Sequence, residues 1–308
     1  MKKGRRSTIA LGIHFGAHSV RLVALERTRK GIQLKHCCER SFPNDLRFAG
    51  TFDPLVKNAS IQILQSMLSE IRMRSENGTV GLDSRNVILR RIPVDSWLED
   101  DELQNQVLWE AEQLLVDPLE HYVLDFHIQD VSETMREVLL AIARRKTIEE
   151  YTEIVRKSGI YPVCVDVDLF ALGNAYEYLS GNRSNGAVAL MDVEPDTVRC
   201  VIVRNGFFYS GRLYEKSSKA CDPEELLDTV IPRGGETLPL TRIVLSGSET
   251  FSEERLSDLS ARCHCPIEIA NPSRKMKIGS AFSRQHLQKQ TSSCVISLGL
   301  ALRGITEP

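Results

Sequence analysis

Thr8 to Ser41 reads TIALGIHFGAHSVRLVALERTRKGIQLKHCCERS. Three apolar-rich runs, Thr8 to Phe15, Ser19 to Leu25 and Ile32 to Ser41, are separated by Gly16-Ala17 and by Lys30-Gly31. Short glycine-bearing breaks between β-prone runs predict a meander of three antiparallel strands. The pattern returns downstream as Ala187 to Val193, Val198 to Val203 and Phe207 to Leu213, with Asn205-Gly206 as the second turn. Two such meanders, each heading one half of the chain, predict two related α/β lobes with a cleft between them.

Helices and further strands fill the space between the meanders. Asp53-Pro54 supplies an N-cap and a first-turn proline for a helix carrying Val56, Ala59, Ile63, Met67 and Ile71 on one face, with Asn77-Gly78 as its stop. Val80 to Val94 is strand-like, and Ser96 with Glu99 forms a capping box for a helix that displays Leu103, Val107, Ala111 and Leu114 and ends by Pro118. Tyr122 to Val131 and Glu137 to Ala143 read as strands, and Thr147 with Glu150 caps a helix that stops at Ser158-Gly159. Tyr161 to Val167 is a strand and Leu169 to Leu179 a helix, before a polar break, Ser180 to Asn185, that marks a domain boundary. After the second meander, Asp222-Pro223 starts a short helix, Ile243 to Leu245 is a buried strand running into Ser246-Gly247-Ser248, and Val295 to Arg303 is a closing helix.

The bulk properties exclude several classes. A chain of 308 residues with 42% hydrophobic and 26% charged side chains is an ordinary globular protein of more than one core. A formal net charge of -2 argues against a general nucleic-acid binder. Met1 to Arg6 has the charge of a signal-peptide start, but His14 and His18 break the apolar run behind it, so a cytosolic protein is expected. No window reaches the roughly 18 apolar residues of a membrane span. Eight cysteines without paired C-x-x-C spacing predict reduced thiols. Cys263-His264-Cys265 on a strand would place the thiols opposite the imidazole, which disfavours zinc, and Cys37-Cys38 on a strand face opposite ways. Asp166 and Asp168 share a strand face without a third ligand and are expected to be solvated. Glu110 and Glu112 point to different faces of their helix, a poor acid/base pair.

Four stretches carry a family resemblance. Leu11-Gly12-Ile13-His14-Phe15-Gly16-Ala17-His18-Ser19-Val20-Arg21 resembles the first phosphate motif of the actin and sugar kinase superfamily, in which a glycine turn lets backbone amides approach a phosphate. Trp109-Glu110-Ala111-Glu112-Gln113, followed by Pro118-Leu119-Glu120 and Leu124-Asp125-Phe126, resembles the PilM family of type IV pilus assembly proteins, in the FtsA branch of that superfamily. Val165 to Leu172 and Gly299 to Gly304 are similar to the same family. The resemblance implies an actin-like (ribonuclease H-like) two-lobed α/β fold with an inserted small subdomain and a reduced second lobe. On that reading residues 1–79 and 160–180 form the first lobe, 80–159 the insert and 186–308 a truncated second lobe. It also implies a cytosolic adaptor, peripheral to the inner membrane, that binds the N-terminal tail of a PilN-like inner-membrane protein and works with other pilus assembly proteins. The tail's groove is expected near Ile61 to Ile71 and Val87 to Val107.

The nucleotide motifs depart from the family pattern. His14 stands where the family has a magnesium-positioning aspartate, and imidazole is a poor substitute for that hard oxygen ligand. The second phosphate motif, Asp-aliphatic-Gly in the family, reads Asp192-Val193-Glu194, which adds bulk and charge where phosphate would approach. The adenosine motif keeps one glycine, in Leu245-Ser246-Gly247-Ser248. Gly12, His14, Gly16, Ser19, Asp192, Glu194 and Gly247 are therefore the residues of a degenerate ATP pocket, with no catalytic residue, no metal site and no resident cofactor expected. Asp192 is expected as a strand-end solvent contact, or else paired with His14, and Gly234-Gly235 as connector punctuation. The competing expectation is a live actin-like ATPase binding ATP with magnesium, of the pilus or of a type II secretion system.

Overall fold

A computed structural model describes residues 8–43, 46–73, 76–131, 134–181, 186–215, 240–249, 251–272, 275–278 and 291–306. The opening meander is as read: β1 (Thr8–Phe15), β2 (Ser19–Thr28) and β3 (Gly31–Ser41) pair antiparallel, Phe15 opposite Val20 and Ser19 opposite Ser41. Helix α1 (Pro54–Glu70) starts where expected, the Asp53 carboxylate accepting from the Leu55 and Val56 amides. It ends six residues early, at Ile71 with Arg72 in the left-handed region, and Asn77-Gly78 opens β4 (Asn77–Leu82) instead. The single run Val80 to Val94 is divided by a 3₁₀ turn at Ser84–Asn86, so that β5 (Val87–Asp95) belongs to another sheet.

The inserted unit follows. Helix α2 (Asp100–Glu112) is capped by Glu99 and Glu102 in a reciprocal box, one turn later than the Ser96 and Glu99 expected. Strands β6 (Tyr122–Val131) and β7 (Met135–Arg144) complete a three-stranded antiparallel sheet in the order β5-β7-β6. Helix α3 (Arg145–Lys157) begins directly on leaving β7, so Thr147 lies inside it and caps nothing. Strand β8 (Tyr161–Val167) and helix α4 (Asp168–Ser180) come next, with Gly181 as the left-handed C-cap.

The second meander is β9 (Ala187–Val193), β10 (Thr197–Arg204) and β11 (Phe207–Glu215), with β12 (Leu240–Ser246) parallel to β9. Helix α5 (Glu253–Cys263), strands β13 (Ile267–Ile269) and β14 (Lys277–Ile278), and helix α6 (Val295–Thr306) finish the chain. The expected helix at Asp222-Pro223 and the turn at Gly234-Gly235 lie outside the described residues. Cys263-His264-Cys265 is not a strand: α5 ends at Cys263 and His264 is its left-handed cap.

Two sheets carry the two lobes. The first runs β14-β3-β2-β1-β4-β8 and the second β11-β10-β9-β12-β13, each a three-strand antiparallel meander continued by parallel strands. This is the actin-like α/β fold, with the three-stranded sheet inserted between β4 and β8. Helix α6 packs on β1, β2 and β4 and crosses α4. The crossing is close because Gly299 carries no Cβ, which would lie 1.8 Å from the Ala171 carbonyl, and Gly12 likewise lets β1 approach α6, where a Cβ would lie 1.9 Å from the Ser297 carbonyl. Helix α4 in turn packs on β9, β10 and β11, so the two helices lie between the two sheets.

Candidate functional site

The β1–β2 hairpin and the β9–β10 hairpin meet across the inter-lobe cleft, and a buried ion pair joins them. Arg21, on β2, donates from Nη1 to Glu194 Oε1 at 2.6 Å and from Nη2 to Oε2 at 2.8 Å, a bidentate fork. Its Nε donates to Glu39 Oε1 at 2.8 Å, so every face of the guanidinium fork is engaged. Glu39 also accepts from the Ser19 and Ser293 hydroxyls, each at 2.7 Å. Burial works against its charge, but Arg21 and the two hydroxyls outweigh that and hold its carboxyl below the usual range. Arg21 is 1% exposed and Glu194 5%. On its own lobe Glu194 accepts a hydrogen bond from Ser248 Oγ at 2.7 Å. At the rim, His18 Nε2 meets Asp196 Oδ2 at 2.5 Å and Arg47 Nη2 meets the same oxygen at 3.1 Å.

A second buried arginine sits deeper. Arg199, on β10, donates from Nε to Asp168 Oδ2 at 2.5 Å and from Nη2 to Asp83 Oδ2 at 3.4 Å. Its Nη1 lies 3.6 Å from Asp192 Oδ2, an ion pair too long for a hydrogen bond. Asp192 is fully buried, accepts from Ser246 Oγ at 3.0 Å, and is not the solvent contact expected at a strand end. Burial, reinforced by the Glu194 charge, pushes its carboxyl up to about 6. Asp168 opens α4 fully buried, contrary to the solvated position expected for it, and burial raises its carboxyl too. Asp83 is held low, because hydrogen bonds from Arg85 and the charges of Arg199 and Arg85 outweigh burial.

The seven residues of the expected pocket divide. His14, Ser19, Asp192, Glu194 and Gly247 gather round these arginines, and Gly16 makes the hairpin turn, its amide donating to the Ser19 carbonyl at 2.8 Å. Gly247, at φ +106°, touches the Val193 backbone so closely that a Cβ would lie 2.2 Å from the carbonyl oxygen. Gly12 faces α6 instead and serves packing. His14 does not pair with Asp192: its ring is buried and neither nitrogen has a hydrogen-bond partner among the described residues. Burial first, then the Arg199 and Arg21 charges, push its pKa well below the ordinary value, so the imidazole is neutral. The motif comparison overlooked Arg21 and Arg199. Their signal was a cation inside each meander, where a buried strand otherwise reads Leu22-Val23-Ala24 or Val201-Ile202-Val203.

Between the inserted sheet and α4 a groove of about 1000 Å³ remains open. Alternation along the inserted sheet creates it. Val138, Leu140 and Ile142 turn toward Leu103, Val107 and Ala111 of α2 and close one face. Leu139, Ala141 and Ala143 of β7, with Val123, Asp125 and His127 of β6, turn the other way and form one wall. The opposite wall is β8 and α4, with Asp166, Phe170, Asn174 and Tyr176, and the β10–β11 turn with Phe207 and Phe208. Gln129 Nε2 donates to the Phe208 carbonyl at 2.8 Å, and the Phe170 and Phe208 rings meet edge to face at 4.8 Å. The Tyr176 hydroxyl has no hydrogen-bond partner among the described residues. Of the segments expected to bound a groove, Val87 lines this one and Ile61 to Ile71 do not. Trp109 lies off the buried stripe of α2 and is 59% exposed.

Comparison with known proteins adds to the geometry. A family model described as "Type IV pilus assembly protein PilM" matches residues 12–213. The fold is similar to a solved "PilM-PilN type IV pilus biogenesis complex" chain, with 25% identity, a TM-score of 0.79, and coverage of 97% of this chain and 99% of that one. It is also similar to the ethanolamine utilization protein EutJ from Carboxydothermus hydrogenoformans, at 10% identity and a TM-score of 0.51, over 97% of this chain and 90% of the other. At that identity only the fold is shared.

Proposed function

We propose that this chain, which belongs to the PilM family of type IV pilus assembly proteins, is a cytosolic adaptor that holds the N-terminal tail of a PilN-like inner-membrane protein in the groove between its inserted sheet and α4. The observation that carries the reading is the open groove along that sheet: α2 closes one side, while exposed Val123 and half-buried Ala141, with the buried Leu139 and Ala143 behind them, line the groove on the other. The similarity to a chain solved in a PilM-PilN complex supports the choice of partner. Such a groove suits an extended segment, since its walls offer apolar pockets and its lining includes polar groups, among them Asp125 and Asn174. Attachment to the inner membrane then comes through the partner. Among the described residues no helix is long and apolar enough to cross a membrane.

Nucleotide binding is weak or lost on this reading, and no hydrolysis is assigned. The support is steric and electrostatic: the Arg21–Glu194 pair spans the cleft where the two phosphate hairpins face each other, and His14 is a neutral, buried imidazole. A magnesium nucleotide would have to displace a bidentate pair before its phosphates could approach. Titrating a synthetic peptide of the PilN-like protein's first residues into the pure chain tests the function. Saturable binding is expected, and none at accessible concentrations sinks it.

A further inference from the structure

Arg21 is prepared for an anion by its own lobe. Glu39 holds its Nε, and Ser19 and Ser293 hold Glu39, so the two terminal nitrogens project across the cleft in a fixed orientation. What they meet is a carboxylate from the other lobe, delivered by the turn after β9 and steadied by Ser248. We infer that Glu194 is a built-in anionic ligand of the cleft: its carboxylate fills a seat that suits a small carboxylate or phosphate, and it holds the two lobes closed with nothing else bound. The sequence position agrees, since Glu194 follows Asp192-Val193 at the tip of the β9–β10 hairpin, opposite Gly16. At the rim His18 of the β1–β2 turn and Arg47 of the loop after β3 both meet Asp196 of the β9–β10 turn and act in the same sense.

Closure at the cleft also sets the groove. The second lobe supplies Phe207 and Phe208 to one wall and takes the hydrogen bond from Gln129 of the insert. A fixed lobe angle therefore keeps the groove in one shape, without the ligand-dependent population shift that a nucleotide-gated cleft shows. This link rests on reading the groove as the tail site, whereas the filling of the seat does not.

Chemical rescue separates a filled anion seat from an ordinary core ion pair. Glu194→Ala should lower Tm by at least about 5 °C, and added formate, acetate or inorganic phosphate should restore much of the loss. Equal chloride should not. The wild type, with its seat filled, should show no Tm change with the same anions or with magnesium ATP. A variant that melts like the wild type, or that no small anion stabilises more than chloride does, overturns the inference. A variant that folds only with formate present supports it. Should Glu194→Ala fail to fold under any condition, the wild-type measurement decides alone, and stabilisation by phosphate or magnesium ATP overturns the inference. Tail affinity lost in the variant and regained with formate supports the link to the groove, and unchanged affinity refutes that link. A tail that does not bind the wild type sinks the groove reading and leaves the rescue result standing.

Discussion

Arg199 joins the two lobes at their base, its Nε 2.5 Å from Oδ2 of Asp168 at the first residue of α4. The same guanidinium faces Asp83 and Asp192, so one cation serves three buried carboxylates, with Arg85 assisting at Asp83. Removing it leaves buried negative charge without compensation. Arg199→Met is expected to cost about 3–5 kcal/mol, read as a lower urea midpoint at unchanged slope. Arg199→Lys should recover little, because an ammonium cannot address three separated carboxylates as a planar fork can.

Asp192 gives one limb of the pH dependence, in the same sense as Asp168 and against buried His14, whose lowered value costs stability as pH falls below the ordinary 6.5. The folded pKa of Asp192, about 6, lies above the ordinary 3.8, so the folded chain binds this proton more tightly than the unfolded chain does. The stabilisation from the protonated carboxyl is complete below pH 3.8 and is lost as pH rises through about 6. Glu39 and Asp83 act in the opposite sense, since their depressed values give stability above the unfolded values that falls away in acid. Asp192→Asn should therefore differ from the wild type by an amount that changes between pH 4 and 6, moving in the variant's favour as pH rises, measured by urea midpoints across that range. A difference between variant and wild type that does not change with pH would refute the assignment.

The groove can be filled without disturbing the core. Ala141 stands on the open face of β7 and is half-buried. Ala141→Trp should reduce tail affinity by at least about tenfold, equivalent to about 1.4 kcal/mol, with Tm close to the wild type. Trp109→Ala, on an exposed part of α2 away from that wall, is the control and should leave affinity unchanged.

Two glycines on adjoining helices should respond oppositely to the same change. A Cβ at Gly299 would lie 1.8 Å from the Ala171 carbonyl, so Gly299→Ala must push α6 off α4, at a cost of about 1–3 kcal/mol or more. At Gly173, within α4, nothing lies within 4 Å of a Cβ. Gly173→Ala should stabilise by about 0.5–1 kcal/mol, through reduced freedom of the unfolded chain. Thermal melts of the two variants check both signs.

Periodicity and turn chemistry were enough for the two meanders, because alternation and glycine turns are local properties of strands such as β1 and β9. Boundaries set by tertiary contact were not legible. The stop of α1 at Ile71, the 3₁₀ turn that parts β4 from β5, and the direct start of α3 after β7 depend on neighbours distant in sequence. At the cleft, motif comparison pointed to His14, Asp192 and Glu194, but the one pairing it offered, His14 with Asp192, does not form. Their meaning came from Arg21 and Arg199, each 173 and 31 residues respectively from the carboxylate it binds most closely. Asp168 looked solvated for the same reason: a strand-period reading placed it on an open face, whereas it begins a helix beneath Arg199.

The position of α6 bears on how the chain reaches this shape. The helix begins at Val295, yet it covers β1, which begins at Thr8, and touches β2 and β4 as well. During synthesis β1 and β2 emerge before α6 and must wait, with an apolar face uncovered, until Val295 and the residues after it have left the ribosome. Folding of the first lobe is thus tied to synthesis of α6, and a chain interrupted before Val295 would present β1 and β2 to chaperones or to aggregation rather than to their own helix.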